Sequence, residues 1–265
     1  MSESPASGRI DVERKGAVVV ATIANEARAN SLDDAMLAAL AEALSGKALG
    51  DARAVVLTGA GDRNFSGGVD LQARDGDALT DAVRTGERLL GRAAAAVDGC
   101  PVPVIAALNG NAFGGALEIA MAADWRLAAR GARLGMPPAR LGWVYAAEGI
   151  QRFVRAVGAA ATRELFLTAR PIDAERARQI GLVNRVVDRR ELLALAVADA
   201  HAVAANGPIA VAGTRAVIRA LEDGIAPSEA SDIAERWRQR AFQSDDIEEG
   251  LRAFREKRDP DFTGR

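Results

Sequence analysis

Two segments decide the fold: AVVLTGAGDRNFSGGVDL at residues 54–71 and VIAALNGNAFGGALEIAMAAD at residues 104–124. Each begins with a short run of small or β-branched apolar residues, which predicts a buried strand. Each then reaches two adjacent glycines, at 67–68 and at 114–115. We therefore expect the order strand, glycine-rich turn and helix to occur twice.

Adjacent glycines at such turns are suited to binding a ligand through the backbone. Glycine tolerates positive φ and lets a ligand approach the main chain closely, and the first N–H groups of a helix have no partner inside the helix. Two such N–H groups that converge on one point would stabilise a developing oxyanion. Either turn alone is better explained by a tight chain reversal, whereas the two together, with the surrounding sequence, favour a functional site. Neither matches a phosphate-binding loop, because GAGDRN lacks the third glycine of GxGxxG and no GxxxxGK[ST] occurs.

The rest of the first two hundred residues predicts more strands alternating with helices, and therefore an α/β fold. Apolar runs predict strands at 18–24, 102–108 and 125–129. Within 102–108, Pro103 argues against a fully paired central strand. Ser31 with Asp34 three residues later predicts a helix N-cap. An alanine-rich stretch predicts a further helix at 80–97.

From residue 190 onward the pattern is helical. Pro208, Pro227 and Ser244 are typical helix starts. We therefore divide the chain into an α/β core at residues 1–205, which would hold the site, and a helical region at residues 206–265.

The amino-acid composition of the chain excludes several classes of function. The 265-residue chain has a net charge of -2, which gives no indication of nucleic-acid or membrane-surface binding. Its single cysteine, Cys100, and single histidine, His201, exclude an internal disulfide and multi-histidine zinc sites, so we expect no metal. No apolar run is long enough to span a membrane, and residues 1–16 lack the apolar core of a signal peptide, which predicts a cytoplasmic protein.

Five segments in order resemble the crotonase (enoyl-CoA hydratase/isomerase) superfamily. They are NEARANSL at 25–32, LTGAGDRNFSGGVDL at 57–71, PVPVIAALNGNAFGGALEIAMAADWRLAA at 101–129, GLVNRVV at 181–187 and AFREKRDPDF at 253–262. Each is moderately specific, and the ordered set is highly specific. The resemblance implies a spiral of ββα units with a C-terminal helical region that trimerises, in many members as a dimer of trimers.

The resemblance also implies roles for the two glycine turns. The oxyanion donors would be the backbone N–H groups of Val69 and Gly115, with Gly68 and Gly114 shaping the approach. The substrate would be an acyl-CoA thioester. CoA would be part of that substrate, so no separate cofactor is expected.

Residues outside the turns are implied to bind CoA. Arg28 and the backbone around Ser66–Gly68, which includes Gly67, would lie near its nucleotide end, and Phe254 and Lys257 would reach CoA, often in a neighbouring subunit. Read from the residues alone, Phe254 is equally a core contact of an amphipathic helix, and the two cations are equally solvated surface charges.

The residues expected at the reacting carbons depart from the hydratase pattern. Hydratases use two glutamates as the general acid and base that act on one water molecule. The first glutamate corresponds to Glu118 in this sequence. The second corresponds to Pro138, which cannot transfer a proton. Tyr145 and Glu148 stand nearby and are candidates to compensate, although a satisfied buried phenol and a helix-dipole acid explain them nearly as well. Trp143 either lines the acyl pocket or packs in the core.

Three reactions therefore stay open. Hydration is the family default, whereas isomerisation and decarboxylation fit the lost glutamate better. Glu118, Pro138 and LG-x-x-Y resemble the methylmalonyl-CoA decarboxylase branch, but Val69 stands where that branch has a histidine. The family's single-glutamate isomerases usually carry their base at position 138. A non-catalytic acyl-CoA binder is the alternative from another class.

Overall fold

The computed structural model describes residues 8–70 and 79–265, with residues 79–83 described by their backbone alone. Residues 1–7, which belong to the segment used to argue against a signal peptide, lie outside the described residues. Leu71, the last residue of the first glycine-rich segment, also lies outside them. Within the described part the strands are β1 (Arg9–Lys15), β2 (Val18–Ala24), β3 (Ala54–Gly59), β4 (Asn64–Ser66), β5 (Val104–Leu108), β6 (Asn111–Phe113), β7 (Trp125–Ala129), β8 (Arg133–Gly135), β9 (Ile172–Asp173) and β10 (Arg185–Val187).

The helices of the same part follow the predicted pattern. They are α1 (Asp34–Ala43), α2 (Gly46–Leu49), α3 (Leu79–Asp98), α4 (Gly115–Met121), α5 (Ala147–Thr168), α6 (Ala174–Gln179), α7 (Arg189–Ala204), α8 (Pro208–Glu222), α9 (Pro227–Phe242) and α10 (Asp245–Glu256). The helix starts predicted at Pro208 and Pro227 are confirmed, and Ser244 is the N-cap of α10.

A six-stranded sheet in the order β1-β2-β3-β5-β7-β10 forms the centre of the fold. It is parallel except for β1, which pairs antiparallel with β2. β3 and β5 are buried on both faces, which explains their unbroken apolar sequences. Val55 and Leu57 point to the larger core cluster, whereas Val56 points to the other face, which α7 covers with Leu192 and Ala196.

A second sheet, in the order β4-β6-β8-β9, supports the two glycine turns. Each long central strand is followed by a three-residue strand of this second sheet and then by a helix, as in β3-β4-α3, β5-β6-α4 and β7-β8-α5. The predicted ββα units are thereby confirmed. Because β4 pairs with β6, the turn after β4 is brought beside the turn after β6.

Two local predictions are wrong. The N-cap of α1 is Asp33, whose carboxylate accepts the Met36 amide at 2.8 Å, whereas the Ser31 hydroxyl donates to the Arg28 carbonyl. The strand predicted at 102–108 begins only at Val104 and is paired on both sides. Pro103 precedes it and contributes only a carbonyl acceptor, so its missing N–H costs no ladder bond.

The C-terminal helices are tied to the core by a largely buried ion pair. Arg215 of α8 donates through Nε to Asp124 Oδ1 at 2.6 Å, and Asp124 Oδ2 accepts the Val104 amide at 2.7 Å. The division of the chain into a core and a helical region at residues 206–265, and the trimerisation of that region, stay predictions.

No single described helix has the length and hydropathy to cross a bilayer; α7 and α8 pass that test only as a pair bent by 107°.

Candidate active site

The first glycine turn leaves the Val69 amide directed away from its supporting strand. Val69 forms a parallel bridge with Leu32, in which Leu32 N donates to Gly68 O and Asp70 N donates to Leu32 O, each at 2.8 Å. In such a bridge the flanking groups make the bonds, and the central residue's own N–H faces the other side. The buried Ser66 hydroxyl accepts the Gly68 amide at 3.2 Å and fixes the turn.

The second glycine turn opens α4. Gly114 is its N-cap, with φ 55° and ψ −126°, and Gly115 is its first residue. The Gly115 amide therefore belongs to the first turn of a helix, where N–H groups have no partner four residues back. Gly114 N donates to Gly135 O at 3.0 Å and anchors the turn to β8.

The two turns are in close contact. A Cβ placed on Gly68, whose φ is +102°, would lie 2.8 Å from Phe113 O and 3.7 Å from Gly115 N. A Cβ placed on Gly115 would lie 3.0 Å from the Val69 side chain. Glycine is thus required at position 68, whereas a Cβ at position 115 would meet only the ends of the Leu90 and Val69 side chains. The turns that carry the Val69 and Gly115 amides are therefore in contact.

A cavity of about 630 Å³ lies against these turns. It brings together most of the residues predicted for the site, together with Pro138. The predicted residues that line it are Gly67, Val69, Gly114, Gly115, Glu118, Trp143, Tyr145 and Glu148. The size suits a small-molecule ligand.

Glu118 of α4 is buried at the floor of this cavity, and both of its oxygens are bound. Tyr145 Oη donates to Oε2 at 2.6 Å, and Arg152 Nη1 donates to Oε1 at 2.9 Å. Gly149 permits this arrangement, because a Cβ there would lie 2.6 Å from the Tyr145 ring and 3.1 Å from the Glu118 carboxyl carbon. Phe166 packs edge-on against the Tyr145 ring at 5.7 Å between centroids.

Burial and charge set the protonation of this pair. Burial raises the pKa of Glu118 above 4.5; the Tyr145 hydrogen bond and the Arg152 charge oppose this rise, and the Glu148 charge adds to it. Burial, followed by the negative charge of Glu118, raises the pKa of Tyr145 well above 10. Tyr145 is therefore a neutral phenol at neutral pH and donates to the glutamate.

Pro138, which the resemblance aligns with the second glutamate of hydratases, lines the same cavity as Glu118. Pro138 is buried there at the start of a short 3-10 helix, Pro138–Leu141. Glu148 lies in the first turn of α5 and is exposed. Trp143 Nε1 donates to Glu87 Oε1 at 2.8 Å, which fixes the indole at the cavity.

Three residues predicted to bind CoA, Arg28, Phe254 and Lys257, do not line this cavity. Arg28 forms an ion pair with the buried Asp70, with Nη1 at 2.7 Å from Oδ2. Phe254 on α10 is 83% exposed, so its interpretation as a core contact is wrong for the single chain. Lys257 follows α10 as its C-cap and is exposed. Contact of Phe254 and Lys257 with CoA stays a prediction.

Sequence reasoning missed Arg152 and Gly149. The only signal for Arg152 is its place in the sequence, one helical turn after Glu148 on α5. Its distance from Glu118, 34 residues away, depends on how α5 packs on α4, which no local pattern specifies. Arg84 and Arg88 of α3 also line the cavity and were not predicted.

Comparison with known proteins gives the class of this chain, a family of enzymes that process CoA thioesters. The family model "Enoyl-CoA hydratase/isomerase" matches residues 13–265, and the chain belongs to this family. It is similar to YngF of Bacillus subtilis, an enoyl-CoA hydratase/isomerase homologue, with 40% identity over 207 residues (78% of each chain). It is also similar to methylmalonyl-CoA decarboxylase of Escherichia coli K12, with 33% identity over 244 residues (89% of this chain and 90% of the relative).

Among solved structures, an enoyl-CoA hydratase from Bacillus anthracis superposes with a TM-score of 0.91. The two share 34% identity over 97% of this chain and 100% of that chain. The crotonase fold inferred from the ordered motifs is thereby confirmed.

Proposed function

We propose that this chain transfers a proton at the α-carbon of an acyl-CoA thioester through a bound enolate, in a double-bond isomerisation or a decarboxylation. The observation that carries the proposal is a single buried carboxylate, Glu118, held by Tyr145 beside two backbone amides. The amides of Val69 and Gly115 would bind the thioester oxygen. Such donors stabilise charge that develops in the transition state, and each is typically worth about 100- to 1000-fold in rate.

Glu118 and Tyr145 together form a route for the proton. The Tyr145 hydroxyl already donates to Glu118 Oε2 at 2.6 Å, so its oxygen is free to accept from the cavity side. In isomerisation, the α-proton would pass to the Tyr145 oxygen while the phenolic proton moves to Glu118. The reverse movement would deliver a proton to the γ-carbon of the enolate.

Decarboxylation would use the same groups in one direction. The bond from the α-carbon to the substrate carboxylate breaks, CO₂ leaves, and the electron pair becomes the enolate held by the two amides. Tyr145 then gives its proton to the α-carbon and is re-protonated from solvent. The similarity to methylmalonyl-CoA decarboxylase favours this variant.

Classical hydration fits the site less well. It needs acid and base groups on one water, and Pro138 leaves the second position apolar. Glu87 and Glu148 line the same cavity; Glu87 accepts the indole N–H of Trp143, so Glu148 is the carboxylate that we expect to restore a pair. The similarity to a hydratase structure keeps this as the second candidate.

Substrate and assembly follow from the same proposal. CoA would be bound as part of the substrate, with Arg28, Ser66 and Gly68 toward its nucleotide end. Phe254 and Lys257, remote from the cavity in one chain, would reach it from a neighbouring subunit in a trimer or dimer of trimers. We place the protein in the cytoplasm, where acyl-CoA is available.

A substrate panel tests the proposal. Purified protein is incubated with crotonyl-CoA, a 3-enoyl-CoA and methylmalonyl-CoA, and the products are separated by mass. We expect turnover of the second or third thioester, and loss of that turnover in Glu118→Gln with acyl-CoA binding retained. Turnover of crotonyl-CoA alone, dependent on Glu148, would establish hydration instead. Binding of all three without turnover would identify a non-catalytic acyl-CoA binder.

A further inference from the structure

Arg152 forms the only side-chain ion pair that the described residues make with Glu118. Its side chain is 15% exposed and that of Glu118 is 4% exposed, so the pair is largely removed from water. Arg152 Nη1 also donates to the Glu148 carbonyl at 3.3 Å, which ties the guanidinium to the first turn of its own helix. The arginine is therefore fixed from α5 while it binds a group on α4.

The two donors fix the glutamate by different means. Tyr145 binds Oε2 without adding charge, whereas Arg152 binds Oε1 and brings a positive charge. Two donors on two oxygens determine the orientation of the carboxylate plane, and the remaining lone pairs stay available. The other charged group that acts on Glu118 is Glu148, which is negative and disfavours a second negative charge nearby.

Without the arginine, the pKa of Glu118 would rise further, because Arg152 is one of the two groups that oppose the rise caused by burial and Glu148. A buried carboxylate beside another carboxylate takes up a proton unless a cation compensates it. A protonated Glu118 cannot accept the proton of Tyr145 and has no base function.

Arg152 also lines a second cavity of about 680 Å³ between the core and α8, so its side chain lies in the wall between two cavities.

We propose that Arg152 is a positioning residue that keeps Glu118 a charged, correctly oriented carboxylate, so that one glutamate can both take up and return the proton. The inference rests on the proposed role of Glu118 in proton transfer. Arg152 acts through Glu118 and need not touch the substrate.

The kinetic test compares Arg152→Met, which keeps much of the side-chain length and removes the charge, with Arg152→Lys. We expect Arg152→Met to lower kcat at pH 7 by about 100-fold, the low end of what a general base contributes. Its acid limb of kcat should move to higher pH, and Arg152→Lys should restore much of both. Arg155→Met is the matched control, because Arg155 lies on the same helix and pairs instead with Asp223 at 2.6 Å.

A second readout does not depend on activity. Tyr145 is the only tyrosine in the chain, so protein labelled with ¹³C at tyrosine Cζ gives one tyrosine resonance. On acidification this resonance moves when Glu118, its hydrogen-bond partner, takes up a proton. We expect the midpoint at higher pH in Arg152→Met than in the parent, at the parent's value in Arg155→Met, and no such transition in Glu118→Gln.

The outcomes separate this inference from the proposed function. An unchanged midpoint in folded Arg152→Met overturns the inference, and Arg152→Gln carries the same test if the methionine variant does not fold. A raised midpoint with lost turnover supports it. A raised midpoint in a protein whose parent turns over no thioester supports the role of Arg152 and overturns only the proposed function.

Discussion

Gly68→Ala is the sharpest test of the backbone oxyanion hole. The added Cβ would lie 2.8 Å from the Phe113 carbonyl oxygen, a backbone atom that cannot move aside without shifting the turn before α4. The residue would also adopt φ +102°, which costs a non-glycine residue about 1–3 kcal/mol. Relief of either strain moves the amide of Val69 or that of Gly115.

The expected loss in rate follows from the loss of one donor. Misplacing one oxyanion donor lowers kcat by about 100- to 1000-fold, or about 2.7–4 kcal/mol. The same substitution should leave acyl-CoA affinity within about threefold, because the ground-state carbonyl depends less on these bonds than the enolate does. Turnover, substrate affinity by calorimetry and the melting temperature are measured on the same preparation.

Gly131→Ala is the matched control. Gly131 also has positive φ, at +83°, but a Cβ there meets no atom within 4 Å. Both variants should lose similar stability from backbone strain, and only Gly68→Ala should lose turnover. If Gly68→Ala retains a kcat within about threefold of Gly131→Ala, the two turns do not form the oxyanion hole.

Three further predictions concern the side chains of Tyr145, Glu148 and Arg215. Tyr145→Phe should lower kcat by about 100-fold with acyl-CoA affinity nearly unchanged, since it removes the proton relay and leaves the cavity shape; unaltered turnover would remove the tyrosine from the mechanism. Glu148→Gln should move the acid limb of kcat to lower pH, because the Glu148 charge helps to raise the pKa of Glu118. Arg215→Met should lower the free energy of unfolding by about 3 kcal/mol, measured with urea, because the largely buried Asp124 loses its ion-pair partner at 2.6 Å and keeps only Arg219, at 3.8 Å.

Each of these has a defined contrary result. Loss of turnover in Glu148→Gln at every pH would make that glutamate a direct participant and would favour hydration. For the ion pair, Arg238→Met is the control, because Arg238 pairs with Glu235 on the exposed face of α9 at 3.4 Å and should contribute under about 1 kcal/mol. Equal losses in the two arginine variants would contradict the anchoring of α8.

The sequence predicted the long elements well and the short ones poorly. Runs such as VVVATIA and AVVLT are apolar because both faces of a parallel strand are buried, and this signal is local. The three-residue strands β4, β6 and β8 are too short to carry a periodicity, so only the family resemblance, and no local pattern, predicted the second strand of each ββα unit. The cap at Asp33 was misassigned because two polar residues near one helix start compete for the role, and only the backbone conformation decides between them.

The sequence predicted the site residues that are needed for their backbone conformation. It did not predict those whose role depends on how two helices pack together. Gly68 and Gly114 are visible in sequence because their backbone conformations require glycine. Arg152 is an ordinary helix residue until α5 is placed on α4. Gly149 likewise has no local reason to be glycine, since the atoms it makes room for belong to Tyr145 and Glu118.

The bonds that Tyr145 and Arg152 make to Glu118 affect which reactions a single carboxylate can support. Hydration adds two groups to two carbons and uses an acid and a base at the same time, whereas isomerisation moves one proton between two carbons and decarboxylation adds one proton to one carbon. Decarboxylation needs only a proton donor such as Tyr145, and isomerisation needs only a single glutamate that alternates between charged and protonated forms. Its two forms must then lie close in free energy, and here burial and Glu148 favour the protonated form while Arg152 and Tyr145 favour the charged form. A buried proline at position 138 and a compensated Glu118 are thus both consistent with the proposed chemistry of a single carboxylate.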